Sequence, residues 1–533
     1  MSGATETARW IGPYLAVDGA PFPVIGAEIH NSSSSTIAAI EESFATIRDL
    51  GANTVLAPVA WDLLEPVEGR FDFTLVDAMV ATAERLGLKL IPLWFGTWKN
   101  AVSTYAPVWV KTDSGRFPRA VIGEGRRVEH VSAFATEACA ADGRAFAALM
   151  AHIREIDTAG VVLAVQVENE VGLLGDTRDR SDLAEAAFAS AVPEAVIQAV
   201  AADATMPLHQ EWAEHGSRTE GTWAEVFPDG ARRDEAFMAA AFAAYVGQVA
   251  EAGAAEHDIP LFVNAWLDAD SVLDGPVALA GGKRPGDYPS GGPVMPVAAI
   301  WERLAPALHF LAVDLYVDGG EDVFEAYRAR RGRLFIPEIR ADAPGIGQMF
   351  SAIGTHRALG VSPFGVDSLD PAYEGTAQLV DAFALLRAAA VLIRANPEAA
   401  VRGFVLSEKQ PGVDLPLGDA TIRIHSKDEW GMVTPVYPAY GIAIEDGDGL
   451  YLIGRGFWIT LAGDAGTQVS FASATHYRLE GDELVPVLRL NGDETAGGTL
   501  IPFPFAGSPI LPGRAIPTRL PEAGIARISV YSY

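Results

Sequence analysis

A chain of 533 residues with 49% hydrophobic and 20% charged residues has the composition of a globular protein with room for two or three domains. Its 69 acidic residues against 39 basic ones give a formal charge of -30, which repels a polyanion and sets nucleic acid aside as a partner. Cys139 is the single cysteine, so an intrachain disulfide and a cysteine metal cluster are both excluded.

Residues 1–10 are polar and lack the basic-then-apolar pattern of a signal peptide, so cytoplasmic residence is expected. No uninterrupted apolar run reaches membrane-spanning length, so no membrane partner is expected either. Tyr14-Leu15-Ala16-Val17-Asp18-Gly19 reads as a hairpin-like turn, and 23–30 as a strand ending in Glu28, His30 and Asn31. A helix over about 35–50 follows, with Ile37, Ile40, Phe44 and Ile47 at helical spacing and Gly51 as its stop. Strand 54–61, helix 74–86 and strand 88–94 continue the alternation, and helix 132–156 leads to an apolar strand at 161–170. Period two along that strand puts Gln166, Glu168 and Glu170 on one face and Val165 and Val167 against outer helices. Further helices fall at 235–253, 320–330, 346–358 and 371–395, and further strands at 259–266, 309–316, 333–340 and 361–367. Eight alternating units predict a (β/α)8 TIM barrel over 1–395, with long insertions at 172–234 and 267–308 where such barrels build substrate loops. From about 400 the pattern becomes short alternating stretches such as Thr421-Ile422-Arg423-Ile424-His425, broken by Gly, Pro and Asp. Residues 396–533 therefore predict an antiparallel β-sandwich-like domain.

The strand ends of such a barrel carry its chemistry. Here they offer Glu28, His30, Asn31, Trp61, Glu65, the 94–100 segment, Asn169, Glu170, Asn264, Trp266, Asp314, Tyr316, Glu338, Arg340 and Asp367. Carboxylates, amides and aromatics suit a neutral polyhydroxylated substrate, because rings cover sugar C–H faces and the polar groups bond hydroxyls. Glu170 and Glu338 form the pair a retaining glycosidase needs, one as protonated acid and the other as ionised nucleophile. Arg340, two residues on, is placed to hold Glu338 ionised.

Val165-Gln166-Val167-Glu168-Asn169-Glu170-Val171-Gly172 resembles the acid/base segment of family 35 glycoside hydrolases, the β-galactosidase family. Asp18-Gly19-Ala20-Pro21-Phe22 with Gly26-Ala27-Glu28-Ile29-His30 resembles that family's first strand, and Gly51-Ala52-Asn53-Thr54-Val55 with Glu65-Pro66 its second unit. Trp94-Phe95-Gly96-Thr97-Trp98-Lys99-Asn100, the 221–227 segment and Pro289-Ser290-Gly291-Gly292-Pro293 resemble a bacterial branch with a β-rich C-terminal domain of unassigned role. The resemblance implies Glu170 as acid/base, Asn169 as the amide on the sugar 2-hydroxyl and Glu338 as nucleophile, with no cofactor and no metal. Asn31, Leu64 and the 97–100 segment depart from mainstream members, which have an aromatic, a His and Cys-Ala-Glu-Trp there. These departures leave β-glucosidase, β-glucosaminidase and transglycosylase as alternatives to β-galactosidase. A non-catalytic carbohydrate-binding protein is the alternative from another class, and a homo-oligomer is left open.

Expected sugar contacts are Glu28, His30, Asn31, Trp98, Lys99, Asn100, Asn169, Trp223, Trp266 and Tyr316, with Trp98 and Trp223 favoured because they sit in polar loops. Glu28 and Glu168 also read as buried scaffold carboxylates, and His30 as a satisfied strand-end histidine. His209 and His215 do not share a helical face, so they make no metal site.

Overall fold

The computed structural model describes residues 9–103, 105–269, 282–370, 372, 374–427, 435–463, 466–505 and 524–533. Part of the predicted 267–308 insertion and most of the polar 1–10 stretch therefore lie outside the described residues. A small antiparallel sheet of Trp10–Ile11, Tyr14–Val17 and Ala20–Phe22 leads into eight parallel strands. These are β1 (Val24–Glu28), β2 (Thr54–Ala60), β3 (Lys89–Phe95), β4 (Val165–Val167), β5 (Leu261–Trp266), β6 (Phe310–Asp314), β7 (Phe335–Ile339) and β8 (Gly360–Pro363). Each pairs with its sequence neighbour, β8 pairs with β1, and a Leu315–Ile339 bridge links β6 to β7 and closes the ring.

The helices outside the ring are α1 (Ile37–Leu50), α2 (Thr74–Leu86), α3 (Thr136–Ile156), α4 (Ala231–Glu256), α5 (Ala298–Leu304), α6 (Glu321–Arg331), α7 (Ala343–Gly354) and α8 (Glu374–Ala395). In α1 the Thr36 side chain caps the first turn and accepts from Ala39 N–H, while Ile40, Phe44, Ile47 and Leu50 are buried. Gly51 ends the helix at φ 96°, a left-handed conformation that glycine adopts without steric cost. Alternation along β2 sends Val55, Ala57 and Val59 to the helix layer and Leu56 into the barrel, as period two requires. The interior floor is apolar: Phe262 and Phe310 stack with centroids 5.1 Å apart, and Phe335 meets Phe262 edge-on.

Two insertions add cover at the strand ends. A hairpin of Arg119–Ile122 and Arg126–Val131, which the sequence pattern did not announce, lies between β3 and α3. Four short helices, Asp182–Phe188, Glu194–Ala202, Pro207–Glu214 and Trp223–Val226, fill the segment after β4.

Beyond α8 the chain is antiparallel: β9 (Val401–Leu406), β10 (Gly412–Leu417), β11 (Ala420–His425), β12 (Ala439–Asp446), β13 (Gly449–Arg455), β14 (Phe457–Gly463), β15 (Val469–Glu480), β16 (Glu483–Arg489), β17 (Leu500–Phe503) and β18 (Ile525–Ser532). They form a six-stranded sheet, β9-β12-β13-β18-β15-β16, over a four-stranded one, β10-β11-β14-β17. Ile442, Ile444, Ile453 and Ile525 of the larger sheet join the same apolar cluster as the barrel helices. Phe350 of α7 lies 4.6 Å from the Tyr440 ring, and Asp381 of α8 is paired with Arg455 of β13. The stretch Gly375–Ala395 is long and apolar enough by composition to cross a bilayer, but half of its most apolar window is buried inside the fold. Its Asp381 and Arg387 are in ion pairs with the C-terminal domain.

Candidate active site

Strand β4 is shorter than the 161–170 expected, because the backbone leaves the β region at its end. Glu168 and Glu170 have φ of 63° and 45°, left-handed values that a side chain adopts at a cost. The predicted shared face of Gln166, Glu168 and Glu170 is therefore corrected. Glu168 points among the helices, where its carboxyl accepts from Thr97 N–H (3.1 Å) and Trp98 N–H (2.8 Å). Glu170 points into the barrel mouth, where its Oε2 accepts from Asn100 Nδ2 and its own N–H donates to Asn264 Oδ1 (2.9 Å).

Glu170, Asp314 and Glu338 converge there from β4, β6 and β7, and one carboxylate oxygen from each lies within 4.8 Å of the others. Glu338 Oε1 accepts from Asn169 Nδ2 (3.3 Å) and Oε2 from the Tyr316 hydroxyl (2.7 Å). Asn169 is itself oriented by Lys99, whose Nζ donates to Asn169 Oδ1 at 2.8 Å. Asn264 links the Glu170 backbone to the Asp314 carboxylate, since its Oδ1 accepts from Glu170 N–H and its Nδ2 donates to Asp314 Oδ2 (2.7 Å). Glu28 completes the group from β1: it is fully buried, and neither carboxylate oxygen meets a partner among the described residues. Three acids this close could ligate a cation. Yet the buried Lys99 ammonium already supplies positive charge, and side chains already donate to Glu338 and Glu170.

Electrostatics single out Glu170. Burial, and then the charge of Glu338, push the Glu170 carboxyl up to about 8, against a downward pull from Lys99 and the Asp314 side chain. Glu170 is thus a protonated acid at neutral pH. Burial raises Asp314 and Glu28 well above the usual carboxylate range, and neighbouring acids add to it. Burial opposes the charge on Lys99, but Glu338, Glu170, Glu28 and Asp314 outweigh it and hold the ammonium protonated.

Several expectations need correction. Arg340 does not reach Glu338: it donates to Asp318 (2.7 Å) and Asp342 (2.8 Å), because β7 ends at Ile339 and the alternation stops there. Trp98 is not open to a sugar. It is fully buried against His130, Phe242 and Tyr245, and its Nε1 donates to Val131 O of the unforeseen hairpin. Trp223 starts a short helix capped by Thr222 and Glu225 and is buried on Phe227 and Phe237. Lys99 and Asn100 hold Asn169 and Glu170, which gives them a role beyond the sugar contact expected of them.

The remaining residues divide. Trp266 is half-buried at the end of β5, with an Nε1 that has no partner among the described residues. His30 is exposed, its ring bonded to Ser368 and its N–H to Asp367. Asn31 lines a cavity of about 200 Å³ with Asp62, Met79 and Tyr105, and Glu28, Glu170, Asp314 and Glu338 are not in its lining. Asp314 and Asn264 were visible as strand-end residues, but their place between the two glutamates was not; the Asp314-Leu315-Tyr316 alternation was the available signal.

Fold and site together define a (β/α)8 barrel with a carboxylate-lined mouth. Residues 14–244 match the model of glycosyl hydrolases family 35. Residues 379–502 match a domain of unknown function, DUF5597. A beta-galactosidase of Xanthomonas manihotis is 30% identical over 178 residues, which are 31% of this chain and 26% of that protein. The chain thus spans about a quarter of the length of the curated relative it matches. Among solved structures, the beta-galactosidase of the psychrophilic Marinomonas ef1 is 14% identical with a TM-score of 0.44, covering 70% of this chain and 60% of that one. The beta-galactosidase of Bacillus circulans sp. alkalophilus is 13% identical with a TM-score of 0.46, covering 69% and 56%.

Proposed function

We propose that this chain is a retaining exo-β-glycosidase that removes terminal β-linked sugars, with a β-galactoside as the leading substrate. The observation that carries the reading is the approach of Glu170 and Glu338 to within 4.8 Å in one buried group. A retaining pair stands about 5–5.5 Å apart and an inverting pair about 6.5–9.5 Å.

Glu338 attacks the anomeric carbon while Glu170 gives its proton to the leaving oxygen, forming a glycosyl ester on Glu338 and a free alcohol. Glu170, now ionised, takes a proton from water; the water oxygen attacks the anomeric carbon and Glu338 leaves as carboxylate. Asn169 and Tyr316 aim hydrogen bonds at Glu338 and orient its carboxylate. Asn169 would meet the 2-hydroxyl, Glu28 would accept from other hydroxyls through its two unpartnered oxygens, and Trp266 would cover a sugar face. The departures from mainstream members at Asn31 and 97–100 keep β-glucosides, β-glucosaminides and transfer to a sugar acceptor in the test.

A panel of aryl β-glycosides identifies the sugar, and nuclear magnetic resonance of the first-formed anomer reads the stereochemistry. Turnover of a β-galactoside with a β product is expected. An α product overturns the retaining assignment, and tight sugar binding without turnover on the panel turns the reading to a carbohydrate-binding protein.

A further inference from the structure

Residues 97–102 form one tight turn that contacts Glu170 directly and Glu338 through Asn169. Lys99 and Val102 exchange backbone hydrogen bonds of 2.7 and 2.9 Å, and between them Asn100 and Ala101 both have positive φ, 51° and 56°. Two consecutive left-handed residues make a type I′ turn, which prefers Asn-Gly, so Ala101 sits there under strain. From this turn Asn100 donates to Glu170 and Lys99 reaches Glu338 through Asn169. A strained turn with two functional arms must be held from outside.

Two buried groups hold it. At its base, the Glu168 carboxyl accepts the N–H groups of Thr97 and Trp98, and it also hydrogen-bonds the Asp142 carboxyl of α3. Asp142 in turn accepts from Trp94 Nε1 (2.8 Å) and the Thr97 hydroxyl (2.6 Å). Packing leaves no slack: a Cβ on Gly96 would lie 2.4 Å from Trp94 Nε1 and 2.6 Å from Glu168 Oε1. At the tip, His130 Nδ1 donates to Ala101 O at 2.8 Å. Burial pushes the His130 ring down to about 4, so it stays neutral with its proton on Nδ1.

We infer that Glu168 is a positioning residue for the glycosidase reaction, acting through the 97–102 turn to keep Asn100 on Glu170 and Lys99 on Asn169. The inference rests on the acid and nucleophile roles given above to Glu170 and Glu338. Glu170 is faced by Glu338 from β7, Asp314 from β6, Glu28 from β1 and Lys99 and Asn100 from the turn. The Lys99 charge and the Asn100 donor both favour the ionised form, so a slipped turn raises the pKa of Glu170.

The test is the pH profile of kcat/KM on an aryl β-glycoside. Glu168→Met fills the space but accepts no hydrogen bond; it should lower kcat/KM about 10²-fold, the usual effect of a misplacement near 1 Å. It should also move the basic limb upward. Glu168→Gln still accepts one N–H and should fall between Glu168→Met and wild type in both readouts. His130→Leu, which frees the tip, should move the limb the same way, and it decides the matter if Glu168→Met does not fold. A folded Glu168→Met with the limb at its wild-type pH overturns the inference, even if activity falls, because a merely structural loss leaves the limb in place. Glu170→Gln is run alongside: if it keeps wild-type turnover, the reading of the site itself has failed.

Discussion

The lower half of the barrel is filled by Leu56, Ile91, Leu93, Phe262, Phe310, Phe335 and Leu359, while a few residues further along the same strands stand Glu28, Glu170, Asp314 and Glu338. The floor stabilises by removing apolar surface from water, and its Phe stack needs no partner beyond neighbouring carbon. The mouth removes acids from water, which destabilises unless each is protonated, paired or bonded. Lys99, Asn100, Asn169, Asn264 and Tyr316 bond the other acids, while the Glu28 oxygens have no partner among the described residues. Floor and mouth can therefore be broken separately, one in stability and the other in chemistry.

The largest chemical effect is expected at the two glutamates. Glu170→Gln should lower steady-state turnover about 10²- to 10⁴-fold, the range of a lost general acid. With an activated aryl leaving group, glycosyl-enzyme formation should suffer less than its hydrolysis, which stopped-flow release of the phenol reads directly. Glu338→Gln should remove turnover altogether, and wild-type rates in both variants would end the assignment. Stability should move the other way. Because burial raises Glu170 to about 8 in the fold, the folded state keeps a proton that the unfolded chain loses near pH 4. This contribution to stability falls between pH 4 and 8, so Glu170→Gln should gain on wild type in melting temperature across that window.

The floor should answer in the opposite sense. Phe310 is buried between Phe262 and Phe335, and Phe310→Ala should cost about 3–5 kcal/mol in urea unfolding. Well below its melting point the variant should keep kcat/KM near wild type. A large loss of kcat in the folded protein would show that floor and mouth are not separable.

The floor is also the part the sequence made easiest to read. Parallel strands buried on both faces spell themselves as apolar runs, so all eight strands and the change to antiparallel pairing after α8 were legible. At the mouth, residue types were legible but directions were not. Period two predicts a side chain's face only while the backbone stays extended, and it fails at Glu168 and Glu170, where φ turns positive. Trp98 looked accessible because its neighbours Thr97, Lys99 and Asn100 are polar, yet the 119–131 hairpin covers it. That hairpin carries Arg126, Arg127 and Glu129 and shows little apolar alternation, so nothing local marked it as a lid over a tryptophan.

Within the mouth, Tyr316 supplies one of two hydrogen bonds to Glu338. Tyr316→Phe removes that donor and little volume. A bond to a charged group contributes about 1.5–3 kcal/mol, so kcat/KM should fall about 10- to 100-fold if it supports the departing carboxylate of the second step. Folding should be nearly unaffected, since the ring stays in place; a variant with full activity would mean that Asn169 alone holds Glu338.

Arg340 should give the smallest effect, and that smallness is informative. By sequence it stands two residues from Glu338, where alternation would aim a guanidinium at the carboxylate. In the fold it has left β7 and lies with Asp318 and Asp342 at the surface, while the buried cation near Glu338 is Lys99, held from β3. Surface pairs of this kind contribute about 0–1 kcal/mol. Arg340→Ala should therefore leave kcat/KM within about twofold of wild type and the pH limbs in place, with at most a small drop in melting temperature. A drop of tenfold or more, or an acid limb moved upward, would mean that Arg340 does act on Glu338 and that the mouth draws its positive charge from β7 as well as β3.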